Sequence, residues 1–239
     1  MKNRIIYYYQ TFNTLVPILK DPCIVTHIHV SSVHFGINDD KSPYIHLNDY
    51  PPDNFIFNEL WQELEIASQK GIKIILMVGG AGGAFQNLFS NFDTYYEMLK
   101  NTIIKYPFID GVDLDVEEKV DIDNIRKLIN TISDDFGDDF IIAMAPLQYS
   151  LENDEPGMGG FIYKKLLQTP EGQRINYFNG QFYGCFNYDS YDKVIKNGYP
   201  PEKIVIGMLS SDINSSNFSK ALDNIKKIKN NYPNFGGVF

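Results

Sequence analysis

The segment Ile109-Asp110-Gly111-Val112-Asp113-Leu114-Asp115-Val116-Glu117 alternates acidic and aliphatic residues over the length of a strand. Successive strand side chains point to opposite faces, so Val112, Leu114 and Val116 face one way while Asp113, Asp115 and Glu117 line the other, about 6.6 Å apart in turn. Acids crowded on one face repel one another, and burying them without partners is unfavourable. The pattern therefore reads either as a half-exposed strand with a solvated acidic face or as a site that needs those acids for catalysis or for a metal. Position favours the second reading. Asp110-Gly111 reads as a turn into the strand and residues 119–123 as a loop into a helix, which puts the acids near the C-terminal end of a strand in a βα unit. Parallel α/β folds carry their chemistry there.

The spacing Asp110-x-x-Asp113-x-Asp115-x-Glu117, with Gly111 also in register, resembles the DxxDxDxE signature of family 18 glycoside hydrolases, the chitinases and endo-β-N-acetylglucosaminidases. The rest of the chain can be set against that resemblance. At 239 residues it has the length of one barrel-sized domain, and 44% hydrophobic with 21% charged residues is a globular composition. A formal net charge of −9 argues against nucleic acid or an anionic membrane surface as partner and leaves neutral or cationic ligands open. Cys23 and Cys185 are too few for a disulfide framework, lack metal-ligand spacing, and read as buried thiols. The N-terminus enters a strand pattern at once without a leader-like apolar core, so an intracellular protein is the default expectation, and no apolar run reaches membrane-spanning length. A monomer with no cofactor and no metal is expected.

Short β-rich runs alternate with helical patterns about every 30 residues, as in a parallel sheet closed by crossover helices. Residues 5–10 read as the first strand, 13–20 as a short apolar helix and 24–33 as the second strand. His27 and His29 share one face of that strand, a pattern that reads as a satisfied interior pair rather than a metal site. The long connection 36–57, rich in Asp and Pro, is a candidate cleft rim. Leu60, Trp61, Leu64 and Ala67 have helical spacing that Gly71 ends, with Trp61 packed in the helix. The apolar run 72–78 reads as a strand buried on both faces. Gly79-Gly80-Ala81-Gly82-Gly83 follows it, without the GxGxxG spacing or the Lys-Ser/Thr pair that a phosphate-cradling loop needs.

In the family this third strand ends in Ser-x-Gly-Gly, and Met77 stands where the serine supports the inner aspartate, so Asp113 must find another partner. Further strands are expected at 109–117, 140–144, 177–183 and 204–209, with an eighth beginning at Gly236-Gly237-Val238-Phe239. Amphipathic helices lie between, one of them carrying Ile122, Ile125, Leu128, Ile129 and Ile132. The whole reads as one α/β domain over residues 1–239, a (β/α)8 TIM barrel whose final helix is absent.

The resemblance implies a retaining glycosidase acting on N-acetylglucosamine-containing glycans, the substrate's own acetamido group serving as nucleophile. Glu117 would be the general acid, Asp115 would orient the acetamido group, Asp113 would share a proton with Asp115, and Tyr183 of the Gln181-Phe182-Tyr183 run would hydrogen-bond the acetamido oxygen. Met144 and Gln181 would line the sugar pocket, and Asp110 would be structural. The alternative is a lectin-like barrel that binds such polymers with little turnover, against which the presence of Glu117 argues. In the family, a tryptophan shortly after the strand-eight Gly-Gly-aliphatic run forms the floor of the reacting subsite. The sequence stops about two residues short of that place, so feeble hydrolysis is expected unless Phe239 or Trp61 supplies the ring.

Overall fold

The computed structural model describes residues 3–10, 13–20, 24–212, 214 and 217–239. Nine strands form one sheet: β1 (Arg4–Tyr9), β2 (His27–Ile37), β3 (Pro43–Leu47), β4 (Lys73–Gly79), β5 (Ile109–Asp115), β6 (Ile141–Met144), β7 (Tyr177–Gln181), β8 (Ile204–Gly207) and β9 (Gly237–Val238). All except β3 are parallel, and β1 pairs with both β2 and β9, so the eight parallel strands close on themselves. Helices α1 (Asn58–Gln69), α2 (Ala84–Ser90), α3 (Phe92–Lys105), α4 (Ile122–Phe136), α5 (Gln148–Glu152), α6 (Tyr163–Leu167), α7 (Pro170–Gln173), α8 (Tyr188–Lys196) and α9 (Phe218–Asn231) flank them. This is a (β/α)8 barrel. No helix follows β9 among the described residues.

Helix α4 is one for which the sequence supplies both an apolar stripe and a cap. In α4, Ile125, Leu128, Ile129 and Ile132 recur at helical spacing and are all buried. The Asp121 side chain accepts the Asp123 N–H at 2.9 Å to start the helix, and Gly137 ends it. Each such buried aliphatic contributes about 1.5–3 kcal/mol of transfer free energy. Inside the ring, strand register carries one layer of side chains from strand to strand. Tyr8 is level with His29, Met77 with Asp113, Asp113 with Ala143 and Ala143 with Tyr177.

Several elements differ from the sequence reading, each for a physical reason. The 36–57 connection is partly a hairpin, since β2 continues to Ile37 and β3 returns antiparallel beside it. Residues 13–20 form turns rather than a helix. Pro17 has no N–H to continue a helical ladder, and Glu63 of α1 accepts the Leu15 N–H at 2.7 Å, holding the segment against the barrel. Asp110-Gly111 is no turn but part of β5, where the register with β4 jumps from Ile74–Ile109 to Ile75–Gly111. Asp110 is the extra residue of that bulge, and its carboxylate accepts from Lys73 Nζ at 2.6 Å and from the Ile74 N–H at 2.9 Å, the structural role assigned to it. Cys185 is only half-buried, its Sγ donating to Gln148 Oε1 at 3.2 Å, and Cys23 lies outside the described residues.

Gly111 has a steric basis. A Cβ there would run into the Ile141 carbonyl on β6, so a side chain would push two barrel strands apart. Gly111→Ala is expected to cost about 1–3 kcal/mol through overpacking, read as a lowered melting temperature with the circular dichroism spectrum retained.

Candidate functional site

A cleft of about 740 Å³ opens at the C-terminal ends of the barrel strands. Asp115, at the last position of β5, and Glu117, just beyond the strand, both line it, as do Gln181 and Tyr183 at the end of β7. Asp113 lies one pleat deeper and is fully buried. The alternation that separates Asp113, Asp115 and Glu117 from Leu114 and Val116 holds in the folded chain, since Val112, Leu114 and Val116 belong to the hydrophobic core.

The partners of Asp113 come from three other strands. Its Oδ2 accepts from Tyr8 Oη at 2.5 Å, from His29 Nδ1 at 2.8 Å and from Asn179 Nδ2 at 3.2 Å, while Asn179 Nδ2 also donates to Tyr8 Oη at 2.8 Å. Met77 stands level with Asp113 in β4 and takes a hydrogen bond from Ser31 Oγ at 2.9 Å. Three polar partners thus converge on one carboxylate oxygen in a dry interior. Asp113 Oδ1 is buried and has no hydrogen-bond partner among the described residues.

Asp115 is nearly as buried as Asp113 but poorly provided with donors. Gln181 Nε2 lies 3.3 Å from its Oδ1 and makes a closer bond, 2.7 Å, to the Ala145 carbonyl. Burial first, then the charges of Asp113, Glu117 and Glu118, push the Asp115 carboxyl up to about 8. The half-buried Glu117 is raised as well, by burial and then by Glu118. Asp115 thus keeps a proton near neutrality, and the upward shift of Glu117 runs in the direction acid catalysis needs. Burial and the Asp113 charge hold the Tyr8 hydroxyl well above its usual value, so it remains a donor.

The loop carrying Glu117 is pinned on both sides. Glu118 Oε1 accepts the Phe85 and Gln86 N–H groups in the first turn of α2, and the Val120 N–H donates to the Gly159 carbonyl at 3.0 Å. On the neighbouring strand, level with Asp115, Gly79 adopts φ 97°, and a Cβ there would strike the Asp115 carbonyl, so glycine lets the β4 end close against β5.

Five of the six sequence-derived site residues thus gather around the cleft: Glu117, Asp115, Tyr183 and Gln181 line it, and Asp113 lies directly beneath. Met144 does not join them. It is level with Leu114, faces the helices with no exposed surface, and Ala145 lines the cleft instead. Of the two aromatic candidates, Phe239 lines the cleft, its ring 5.0 Å from Tyr8 and 6.4 Å edge-on from Tyr183. Trp61 stacks on Tyr106 at 3.9 Å and donates Nε1–H to the Pro52 carbonyl at 2.8 Å, away from the cleft. Sequence reasoning missed Tyr8 and Asn179. The signal was period-two alternation in β1 and β7, where nothing local says which alternate residues turn inward.

Among the described residues no group of three or more His, Cys, Asp or Glu is placed to hold a metal ion, and no helix is long and apolar enough to cross a membrane.

Comparison with known proteins adds independent evidence. The profile of the family described as glycosyl hydrolases family 18 matches residues 4–231. A chitinase from Aspergillus fumigatus superposes with a TM-score of 0.88 at 32% identity, covering 99% of this chain and 90% of the other. A fungal endo-β-N-acetylglucosaminidase described as family 18 gives a TM-score of 0.88 at 34% identity over 98% of this chain and 88% of the other. A chitinase from Pseudoalteromonas aurantia, at 19% identity and a TM-score of 0.75, shares the fold. No curated protein is significantly similar to the chain in sequence.

Proposed function

The chain belongs to glycosyl hydrolase family 18, and from that premise we propose that it hydrolyses β-1,4 bonds beside N-acetylglucosamine, in chitin-type oligosaccharides or an N-glycan core, with retention of configuration. The observation that carries this reading is the placement of Asp115 and Glu117 together on the cleft, both with raised carboxyl pKa values, while the more strongly hydrogen-bonded Asp113 lies sealed below.

Two acids from one strand end approach a glycosidic bond from one side, and among the described residues lining the cleft no further carboxylate is left to attack the opposite face. In substrate-assisted hydrolysis the 2-acetamido oxygen attacks instead. Glu117 donates its proton to the leaving oxygen as the bond breaks, and the acetamido oxygen closes on the anomeric carbon. Asp115 accepts the acetamido N–H and balances the cationic ring that forms, and Tyr183 Oη donates to the acetamido oxygen to orient it. Glu117, now a carboxylate, takes a proton from the water that opens the intermediate. That sequence returns every group to its starting state. Because Glu117 must begin protonated, kcat/KM should fall as pH rises through its raised pKa.

A proton NMR time course on a chitooligosaccharide, and on an N-glycan core, should show the β-anomer as first product, with rates unchanged by a chelator. An α-anomer first product, or activity abolished by the chelator, would overturn the proposal. Binding without turnover would instead support the lectin-like alternative.

A further inference from the structure

Beneath the cleft, hydrogen bonding continues down the barrel axis past anything the proposed reaction uses. His29 is fully buried, its Nδ1 is 2.8 Å from Asp113 Oδ2, and its Nε2 is 3.1 Å from the hydroxyl of Tyr177, itself fully buried. Below Tyr177 the Arg4 guanidinium lies 4.3 Å from the ring centroid. A neutral imidazole carries one N–H, and a hydroxyl donating to Nε2 leaves that N–H on Nδ1, pointing at the carboxylate. We propose that His29, with its tautomer fixed by Tyr177, is a positioning residue that holds the negative charge on Asp113, so that the proton of the Asp113–Asp115 pair rests on Asp115 until the cationic intermediate forms.

This rests on the reading of Asp115 and Glu117 given above. As positive charge develops beside Asp115, its proton passes to Asp113 Oδ1, the oxygen of that carboxylate with no other partner among the described residues, leaving Asp115 anionic and Asp113 neutral. The charge-bearing and titratable neighbours of the column are few. Tyr8 and Arg4 come from β1, His27 from β2, Lys73 from β4, Asp110 and Asp115 from β5 with Glu117 and Glu118 just beyond it, and Tyr177 from β7, while Met77 and Ala143 stand at the Asp113 level on β4 and β6. His27, its pKa driven down to about 3 mainly by burial, is neutral and adds no competing charge.

The decisive comparison is between two replacements of similar size. His29→Asn places an amide N–H where Nδ1–H stood, and His29→Leu places none. Without that donor a charged Asp113 is disfavoured and the pair releases its first proton at higher pH. His29→Leu should therefore move the acid limb of kcat/KM, measured on a fluorogenic chitotrioside, upward by about one unit and lower kcat roughly 10-fold. His29→Asn should restore the limb to within a few tenths of wild type. Tyr177→Phe, which keeps the ring, should move the limb in the same direction by less. Imidazole 15N NMR of the wild-type protein gives a readout that needs no variant to fold, and Nδ1 should carry the proton.

An unprotonated Nδ1 would overturn the inference. So would an acid limb unmoved in both His29→Leu and His29→Asn while Glu117→Gln is inactive, a result that spares the reading of the site. Full turnover by Glu117→Gln would overturn both.

Discussion

Glu117→Gln is expected to lower kcat on chitooligosaccharides by about 10² or more while leaving oligosaccharide affinity within a few-fold of wild type. Glutamine fills the same space and keeps an acceptor for a sugar hydroxyl, but its amide cannot give a proton to a leaving alkoxide. The effect should fall on turnover because the surroundings stay in place. Glu118 remains bonded to the first turn of α2 and Val120 to Gly159, so the loop keeps its course. Asp115 loses one negative neighbour, and its carboxyl should titrate somewhat lower than in wild type. Calorimetry of chitotriose binding beside single-turnover kinetics separates the two quantities. Wild-type turnover in the variant would mean that another group supplies the proton, whereas loss of binding together with turnover would mean that Glu117 holds substrate rather than protonates it.

The acidic strand was legible because its information is local: alternation, adjacent aliphatics and four acids at fixed spacing are all contained in one segment. Barrel closure was legible from the repetition of strand and helix signals. Pairing information was not. The family resemblance implies a place for Met144 in the sugar pocket, yet its register partner is Leu114, which the same alternation turns away from the acids. A slip of one residue exchanges the faces of a strand, and Ala145 occupies the position that Met144 was given. The partners of Asp113 were beyond reach for the same reason. They come from β1, β2 and β7, separated from it by 105, 84 and 66 positions, and the run Tyr7-Tyr8-Tyr9 offers three identical side chains with no local reason to choose the middle one. The hairpin strand β3 was hidden by Pro43 and by a loop-like composition around it, and the 13–20 segment by an apolar pattern that Pro17 prevents from becoming a helix.

Asp115→Asn should abolish most activity and, at the same time, make the protein more stable. The folded state raises the Asp115 pKa from 3.8 to about 8, so between those values the native protein holds a proton that the unfolded chain has released. Stability contributed by that proton is complete below the unfolded pKa and is lost as pH rises towards the folded one. Above about 8 the native state carries the buried charge with only a long contact to Gln181 to offset it. Asparagine has no charge to bury and can still accept from Gln181. The gain at pH 8 should be about 1–3 kcal/mol after allowing for local relaxation, equivalent to roughly 3–10 °C in Tm for a chain of this size. It should shrink steadily as pH is lowered and disappear near pH 4, where Asp115 is protonated in both states. Turnover should fall by about 10² or more, because a neutral amide cannot balance the cationic intermediate. Differential scanning calorimetry from pH 4 to 8 tests the stability claim. A variant no more stable than wild type at pH 8, or a difference independent of pH, would show that the Asp115 carboxyl is not strained by burial, and the electrostatic account of the site would fail with it.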